Sequence, residues 1–324
     1  MYLCSELSHY FMALVTIIMP VYNAADTIRE CIDSILVQSF FDFELLIADD
    51  GSTDSSCHIL SEYRDCRIRL IRGEHNFINT LNILLSAAKG KYIARMDADD
   101  VMMPNRLLLQ YDFMEAHPEV AALGGAIETY QNHKKLGVPQ RVTAYELLEG
   151  CGIYNPTSMI RTEVVHRYKL KYEQEYIYAE DFQFWAKMAK YELPIHNLED
   201  VLIRYRATST QISNVHSREQ QAATRKAQVD LMEWIKRKEE EEKRDYCTLP
   251  NSGNKLSVCI SFLNEGKEVG RTVRSIRKTT GNNVDIVIIN DASTDGYDYE
   301  SDLKGLNVNY ILNKRQNWFC CRKG

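Results

Sequence analysis

No Cys-x-x-Cys pair occurs in this chain of 324 residues, and none of its nine cysteines meets a histidine at ligand spacing. A zinc site is therefore excluded, and an odd count of reduced thiols in a cytosolic protein is the expectation. No charge of one sign dominates either, since 39 basic and 45 acidic residues leave a net charge of −6. Without a global basic field, nucleic acid is not an expected partner. The segment before Pro20 lacks a basic region, and its apolar run over residues 11–19 is too short to span a bilayer. It reads as a lead-in, residues 1–13, and a first buried strand. No Gly-x-Gly-x-x-Gly follows that strand: Pro20-Val21-Tyr22-Asn23 cannot make a dinucleotide phosphate turn, and its ring and amide suit a base instead.

What is present is an ordinary 45% hydrophobic content, enough for two domains or one and a fraction. Strands are expected over residues 13–21, 43–48 and 68–71 and ahead of Asp97, ending at Met96, with helices over 24–38, 55–63, 76–88 and 107–117. Strands alternating with helices imply a mainly parallel sheet with right-handed crossovers, an α/β fold. Two of these strands end in acids, Asp49-Asp50-Gly51-Ser52-Thr53-Asp54 and Asp97-Ala98-Asp99-Asp100. The carboxyl ends of strands are where open α/β sheets place their chemistry. Asp97 and Asp99, one residue apart on a loop, can both face a hard cation such as Mg²⁺ or Mn²⁺ holding a phosphorylated substrate. A turn with capping aspartates is the competing reading, because Pro104 suits a helix first turn.

A strand over residues 120–127 leads into a less regular half, with an extended segment at 155–161 and a trailing strand at 201–205. The run Tyr178-Ala179-Glu180-Asp181-Phe182 opens a helix whose Phe182, Trp185, Met188 and Ala189 recur at inward-facing spacing, leaving Glu180 and Asp181 at its mouth. Helix capping alone is the alternative role for those two acids. Arg206 and the hydroxyls of 208–213 suit phosphate or sugar, and suit plain surface decoration equally. A long helix over 216–244, ending in a charged solvated face, is expected to pack on the preceding domain, with an interfacial membrane helix as the alternative. Residues 247–255 read as a linker.

Beyond the linker the pattern begins again. Asn23 to Asp50 is 27 residues, as is Asn264 to Asp291, and Asp-Asp-Gly-Ser-Thr-Asp is echoed by Asn-Asp-Ala-Ser-Thr-Asp at 290–295. Equal spacing marks an internal repeat. Asn23 lies 74 residues before Asp97, and the same distance after Asn264 passes Gly324. The second copy is therefore expected to be a truncated, catalytically incompetent module that buries too little surface for a complete domain.

Pro-Val-Tyr-Asn at 20–23, the acids at 49–54, Arg-Met-Asp-Ala-Asp-Asp at 95–100 and Glu-Asp-x-x-x-Trp at 180–185 together resemble the family 2 glycosyltransferases. The resemblance covers about residues 14–213. It implies a GT-A fold, Rossmann-like with helices flanking the sheet, and an inverting transfer from a nucleotide-sugar. It further implies that Pro20, Tyr22 and Asn23 line the base pocket, that Asp49 or Asp50 accepts from a uracil imide, and that Asp97 and Asp99 hold the cation bridging the phosphates. Asp181 resembles the family's general base. UDP is favoured over GDP or dTDP on this resemblance, with a saccharide or lipid-linked acceptor. The tail at 202–206 and 211–213 is similar to bacterial members that build surface polysaccharides; a cytoplasmic protein is expected, with peripheral contact at the inner membrane face if the acceptor is lipid-linked. Neither a Gln-x-x-Arg-Trp element nor a membrane helix is found, so single-sugar transfer is expected over extrusion. Phe77 departs from the family's more frequent glycine. The expected domains are 14–215, catalytic; 216–254, helix and linker; and 255–324, the partial repeat. A haloacid-dehalogenase-like phosphotransferase, with Asp97 as nucleophile and Asp99 as acid/base, is an alternative that lacks its later Gly-Asp-x-x-x-Asp-like loop. An inactive remnant or assembly partner is another.

Overall fold

The structure, a computed structural model, describes residues 13–73, 75–150, 152–207, 217–247, 256–262, 265–280, 284–290 and 293–312. The chain divides into two compact units, residues 1–240 and 241–324.

In the first unit an apolar run dictates each central strand. β1 (Val15–Val21) is buried throughout, and β2 (Phe43–Asp49), β3 (Ile68–Arg72) and β4 (Tyr92–Arg95) join it in the order β3-β2-β1-β4, all parallel. Helices α1 (Ile28–Leu36), α2 (Ser56–Glu62) and α3 (Phe77–Ala87) make the crossovers. Alternation along the strands feeds two cores. Val15, Ile17, Met19 and Val21 pack with Ile28, Ile32 and Ile35 on one face, while Ile18, Leu46 and Ala48 pack with Leu81, Leu84 and Leu85 on the other. The result is a three-layer sandwich of helix, sheet and helix.

The second half of this unit departs from an all-parallel sheet. β5 (Val101–Met102), α4 (Arg106–Ala116), β6 (Ala122–Thr129), β7 (Lys135–Leu136), β8 (Arg141–Val142), α5 (Ala144–Glu149), β9 (Met159–Arg161) and α6 (Thr162–Arg167) are followed by α7 (Glu180–Lys190) and β10 (Ile195–Tyr205). β9 enters antiparallel between β4 and β6, and the path continues to β10 and β5. The extended segment expected at 155–161 is this short strand preceded by a tight turn. β10 begins six residues ahead of the expected 201–205, because register shifts around Leu198 and Val201 bulge out the intervening acids and break the alternation. α1 starts at Ile28 rather than near residue 24, after a turn in which the N–H groups of Thr27 and Ile28 both donate to Ala24 O.

The long helix α8 (Ser217–Cys247) places Ala227, Leu231 and Ile235 at four-residue spacing, all buried. Leu231 and Ile235 join the core of α5 and α7, and Lys226 pairs with Glu175, Asp230 with Lys190 and Lys238 with Glu192. The packed position holds over the membrane alternative for that face.

In the second unit β11 (Leu256–Phe262), α9 (Lys267–Thr280), β12 (Val284–Asn290), α10 (Tyr299–Leu303) and β13 (Asn309–Leu312) form a three-stranded parallel sheet around Phe262, Val273, Ile286, Ile288 and Tyr299. The repeat is structural. Val15 pairs with Phe43 as Leu256 pairs with Val284, each 241 positions apart, and Val21 with Asp49 as Phe262 with Asn290. Its loop bonds recur too: Ala25 N donates to Asp54 Oδ2 and Gly266 N to Asp295 Oδ2, while Ser52 N donates to Asp49 Oδ1 and Ser293 N to Asn290 Oδ1. Leu263, Asn264 and Asp291 lie outside the described residues, as do 208–216 and the linker at 248–255.

Candidate active site

The carboxyl ends of β1, β2 and β4 lie side by side, so their loops meet at one edge of the sheet. After Pro20 and Val21, Tyr22 stands half exposed with its ring 4.7 Å from that of His75. Asn23 adopts φ +49°, a left-handed turn that asparagine tolerates better than most residues. Its Oδ1 accepts from Thr53 N at 2.8 Å and from Asp54 N, and its own N–H donates to Ser52 Oγ. The amide oxygen is thus engaged in joining the two loops, leaving the Tyr22 ring as the exposed face for a base.

The two acids that follow β2 are both buried. Asp49 accepts from Ser52 N and from the Cys57 thiol at 2.7 Å. Asp50 Oδ1 accepts from Thr80 Oγ1 at 2.6 Å and from Asn76 N at 2.9 Å, which fastens the α3 N-terminus to β2. Asn76 itself caps that helix through Asn79 N.

Beyond β4 the Asp97–Asp100 loop is pinned from beneath. Thr27 Oγ1 donates to Ala98 O and the Cys31 thiol to Asp97 O. Arg206 donates from Nε to Asp99 O and from its backbone N–H to Asp100 Oδ1, pairs with Glu30, and lies 3.7 Å from the Tyr130 ring centre. Asp100 is fully buried with Oδ2 unpartnered, and burial, with Asp97 and Asp99 beside it, pushes its carboxyl well above the usual carboxylate range. Asp97 stays partly exposed, its Oδ1 2.7 Å from Arg95 Nη2. Among the described residues no group of three or more His, Cys, Asp or Glu side chains forms a closed cage. Two hard carboxylates on an open loop fit a magnesium-like cation that takes its remaining ligands from phosphate oxygens and water.

Glu180 and Asp181 open α7 behind Tyr178, whose φ of +74° marks a strained entry for a bulky residue. Asp181 Oδ1 accepts from Phe182 N at 2.7 Å, while Glu180 Oε2 is buried without a hydrogen-bond partner. Burial raises both carboxyls, Glu180 to about 8, with Asp181 adding to the rise at Glu180 and Asp97 to that at Asp181. Behind them Tyr172 stacks on Phe184, and Trp185, Met188 and Ala189 are buried as their spacing requires.

Pro20, Tyr22, Asn23, Asp49 and Asp50 at one end and Asp97 and Asp99 in the middle gather along this one edge, and the charge of Asp97 reaches Asp181. The sequence reading missed Arg95, His75 and Cys57. An arginine closing a buried apolar strand was the available signal for the first.

The sequence model described as glycosyl transferase family 2 matches residues 16–175 and again 257–318. The chain belongs to this family. Its second match falls on the repeat. An uncharacterized glycosyltransferase of Haemophilus influenzae is 32% identical over 232 residues, 66% of this chain and 71% of the relative. The Escherichia coli UDP-Glc:alpha-D-GlcNAc-diphosphoundecaprenol beta-1,3-glucosyltransferase WfgD is 30% identical over 207 residues, 62% of this chain and 80% of the relative. The fold matches that of S. aureus TarS 1-349 in complex with UDP-GlcNAc, with a TM-score of 0.54 at 24% identity, covering 61% of this chain and 59% of that one. The protein is thus a glycosyltransferase of GT-A architecture, and the phosphotransferase alternative gives way to family membership.

Proposed function

We propose that residues 14–215 transfer a sugar, with inversion, from a UDP-sugar to a hydroxyl of a saccharide or lipid-linked acceptor in surface-polysaccharide biosynthesis. The observation that carries this reading is the gathering of Pro20, Tyr22, Asp49, Asp50 and the Asp97–Asp99 loop at the adjacent carboxyl ends of β1, β2 and β4, with the charge of Asp97 reaching Asp181. Leaving-group stabilisation and acceptor activation are the two tasks a single displacement needs. Tyr22 stacks on the base, with Asp49 or Asp50 as the acceptor for its imide and Pro20 and Asn23 shaping the pocket. Asp97 and Asp99 hold Mg²⁺ or Mn²⁺, which when bound neutralises the charge developing on the leaving diphosphate.

Asp181 takes the acceptor hydroxyl's proton as that oxygen bonds to the anomeric carbon, while the bond from that carbon to the diphosphate oxygen breaks on the opposite face. One displacement inverts the configuration. A carboxylate raised by burial is a better base for this step than one in water. Among the described residues no helix is long and apolar enough to cross a membrane, and a lipid-linked acceptor would be met by peripheral contact at the inner face from the cytoplasm. WfgD, by its name, acts on a diphosphoundecaprenol-linked sugar, which supports that acceptor class. Residues 216–254 serve as helix and linker, and 255–324 as a partial repeat of the catalytic fold.

Calorimetric titration of UDP with and without Mn²⁺ tests the donor site. Wild type binds UDP in a metal-dependent manner and Asp99→Ala loses that dependence. Metal-independent binding by both proteins, or none by either, refutes the assignment.

A further inference from the structure

Two arginines lie buried near the acids, and only one is accounted for by the fold. Arg106 spends its guanidinium on Arg95 O at 2.8 Å, on Gln110 and on Ser158 O. It is a scaffold residue. Arg95 is different: its side chain is 6% exposed, Nη2 meets Asp97 Oδ1 at 2.7 Å, and Nε and Nη1 are buried with no hydrogen-bond partner. Buried donors left unmade are costly and uncommon, and they call for a partner supplied in another state of the molecule.

The groups that Arg95 reaches electrostatically identify that partner. On one side is Asp97; on the other are Glu180, Asp181 and Tyr172. Glu180 Oε2 is itself a buried acceptor without a donor. Unmatched donors on Arg95 and an unmatched acceptor on Glu180 thus lie within electrostatic reach of one another, Arg95 closing β4 and Glu180 opening α7. Because Nε and Nη1 are out of solvent reach, they act through protein groups rather than on substrate.

We propose that Arg95 is a positioning residue joining the two halves of the site: it holds Asp97 before the donor binds and takes the Glu180 carboxylate when the donor and its cation draw Asp97 away. This rests on the donor-site reading above. The guanidinium remains charged throughout, and Glu180, protonated near neutral pH, releases its proton to solvent as the pair forms. Its planar fork can face both sides at once, which a lysine cannot reproduce. Donor binding in the first half of the chain thereby fixes the acid pair that opens α7, next to the base.

A double-mutant cycle in UDP–Mn²⁺ affinity on the full chain tests this, with Arg95→Met, Glu180→Gln and the pair, and with melting curves to establish folding. Arg95→Met is expected to weaken binding about tenfold. Glu180→Gln weakens it in the wild-type background but adds nothing to Arg95→Met, the signature of a shared interaction. Arg95→Lys, the variant that keeps the charge and the fold, recovers part of the loss and no coupling to Glu180. Additive effects, or wild-type affinity in a folded Arg95→Met, overturn the proposal. Absence of metal-dependent UDP binding in wild type overturns the donor reading and this inference with it, a failure visible before any variant is compared.

Discussion

Asp181 and Glu180 are neighbours in one helical turn, yet their surroundings give them different duties. Asp181, raised by burial and by the charge of Asp97, is expected to shift the acidic limb of the kcat/KM profile above the ordinary carboxylate value of about 3.9, activity falling as pH drops through it. Asp181→Asn should cost about 10²- to 10⁴-fold in kcat while leaving UDP affinity intact, measured by steady-state transfer and calorimetry. Glu180 has a folded-state pKa of about 8, above its unfolded value. Its contribution to stability is therefore full at low pH and is lost as pH rises through about 8. Melting temperatures across about pH 5–9 should fall less steeply in Glu180→Gln than in wild type. Of these acids the sequence displayed position but not character. Helix-mouth placement was legible from the spacing of Trp185 and Met188, whereas the pairing of Arg95 with Asp97 depends on a side chain folding back along its own loop.

At the level of elements, what reads well from sequence is what local pattern determines. β1, β2 and β4 were evident because each is a largely apolar run ending in turn residues, as buried parallel strands require, whereas the edge strand β3 carries two arginines and is more exposed. β9 was less evident as a sheet member, being three residues long and held by long-range pairing to β4 and β6. The bulge in β10 disguised its first half in the same way. Helix α8 illustrates how few contacts decide a placement: Leu231 is completely buried amid a helix that is otherwise strongly charged. Leu231→Ala should lower the free energy of unfolding by about 2–5 kcal/mol, read from denaturant titration, because the α5–α7 surface cannot close over the gap. Val229→Ala, on an exposed face of the same helix, should change it by less than about 0.5 kcal/mol.

For the molecule as a whole, two compact units with separate apolar cores predict two cooperative melting transitions by calorimetry. Val273→Asp, a charge placed in the centre of the second core, should abolish one transition and leave UDP–Mn²⁺ binding unchanged. The sheet order also draws a seam. β1, β2, β3 and β4 are consecutive and parallel, and everything on the far side of β4 arrives by a different rule, with β9 running against it. The described strands of residues 256–312 correspond to strands of the near side. A sheet divided at such a seam lets the two sides change separately: substitutions in the antiparallel side leave the pairing among β1, β2, β3 and β4 untouched.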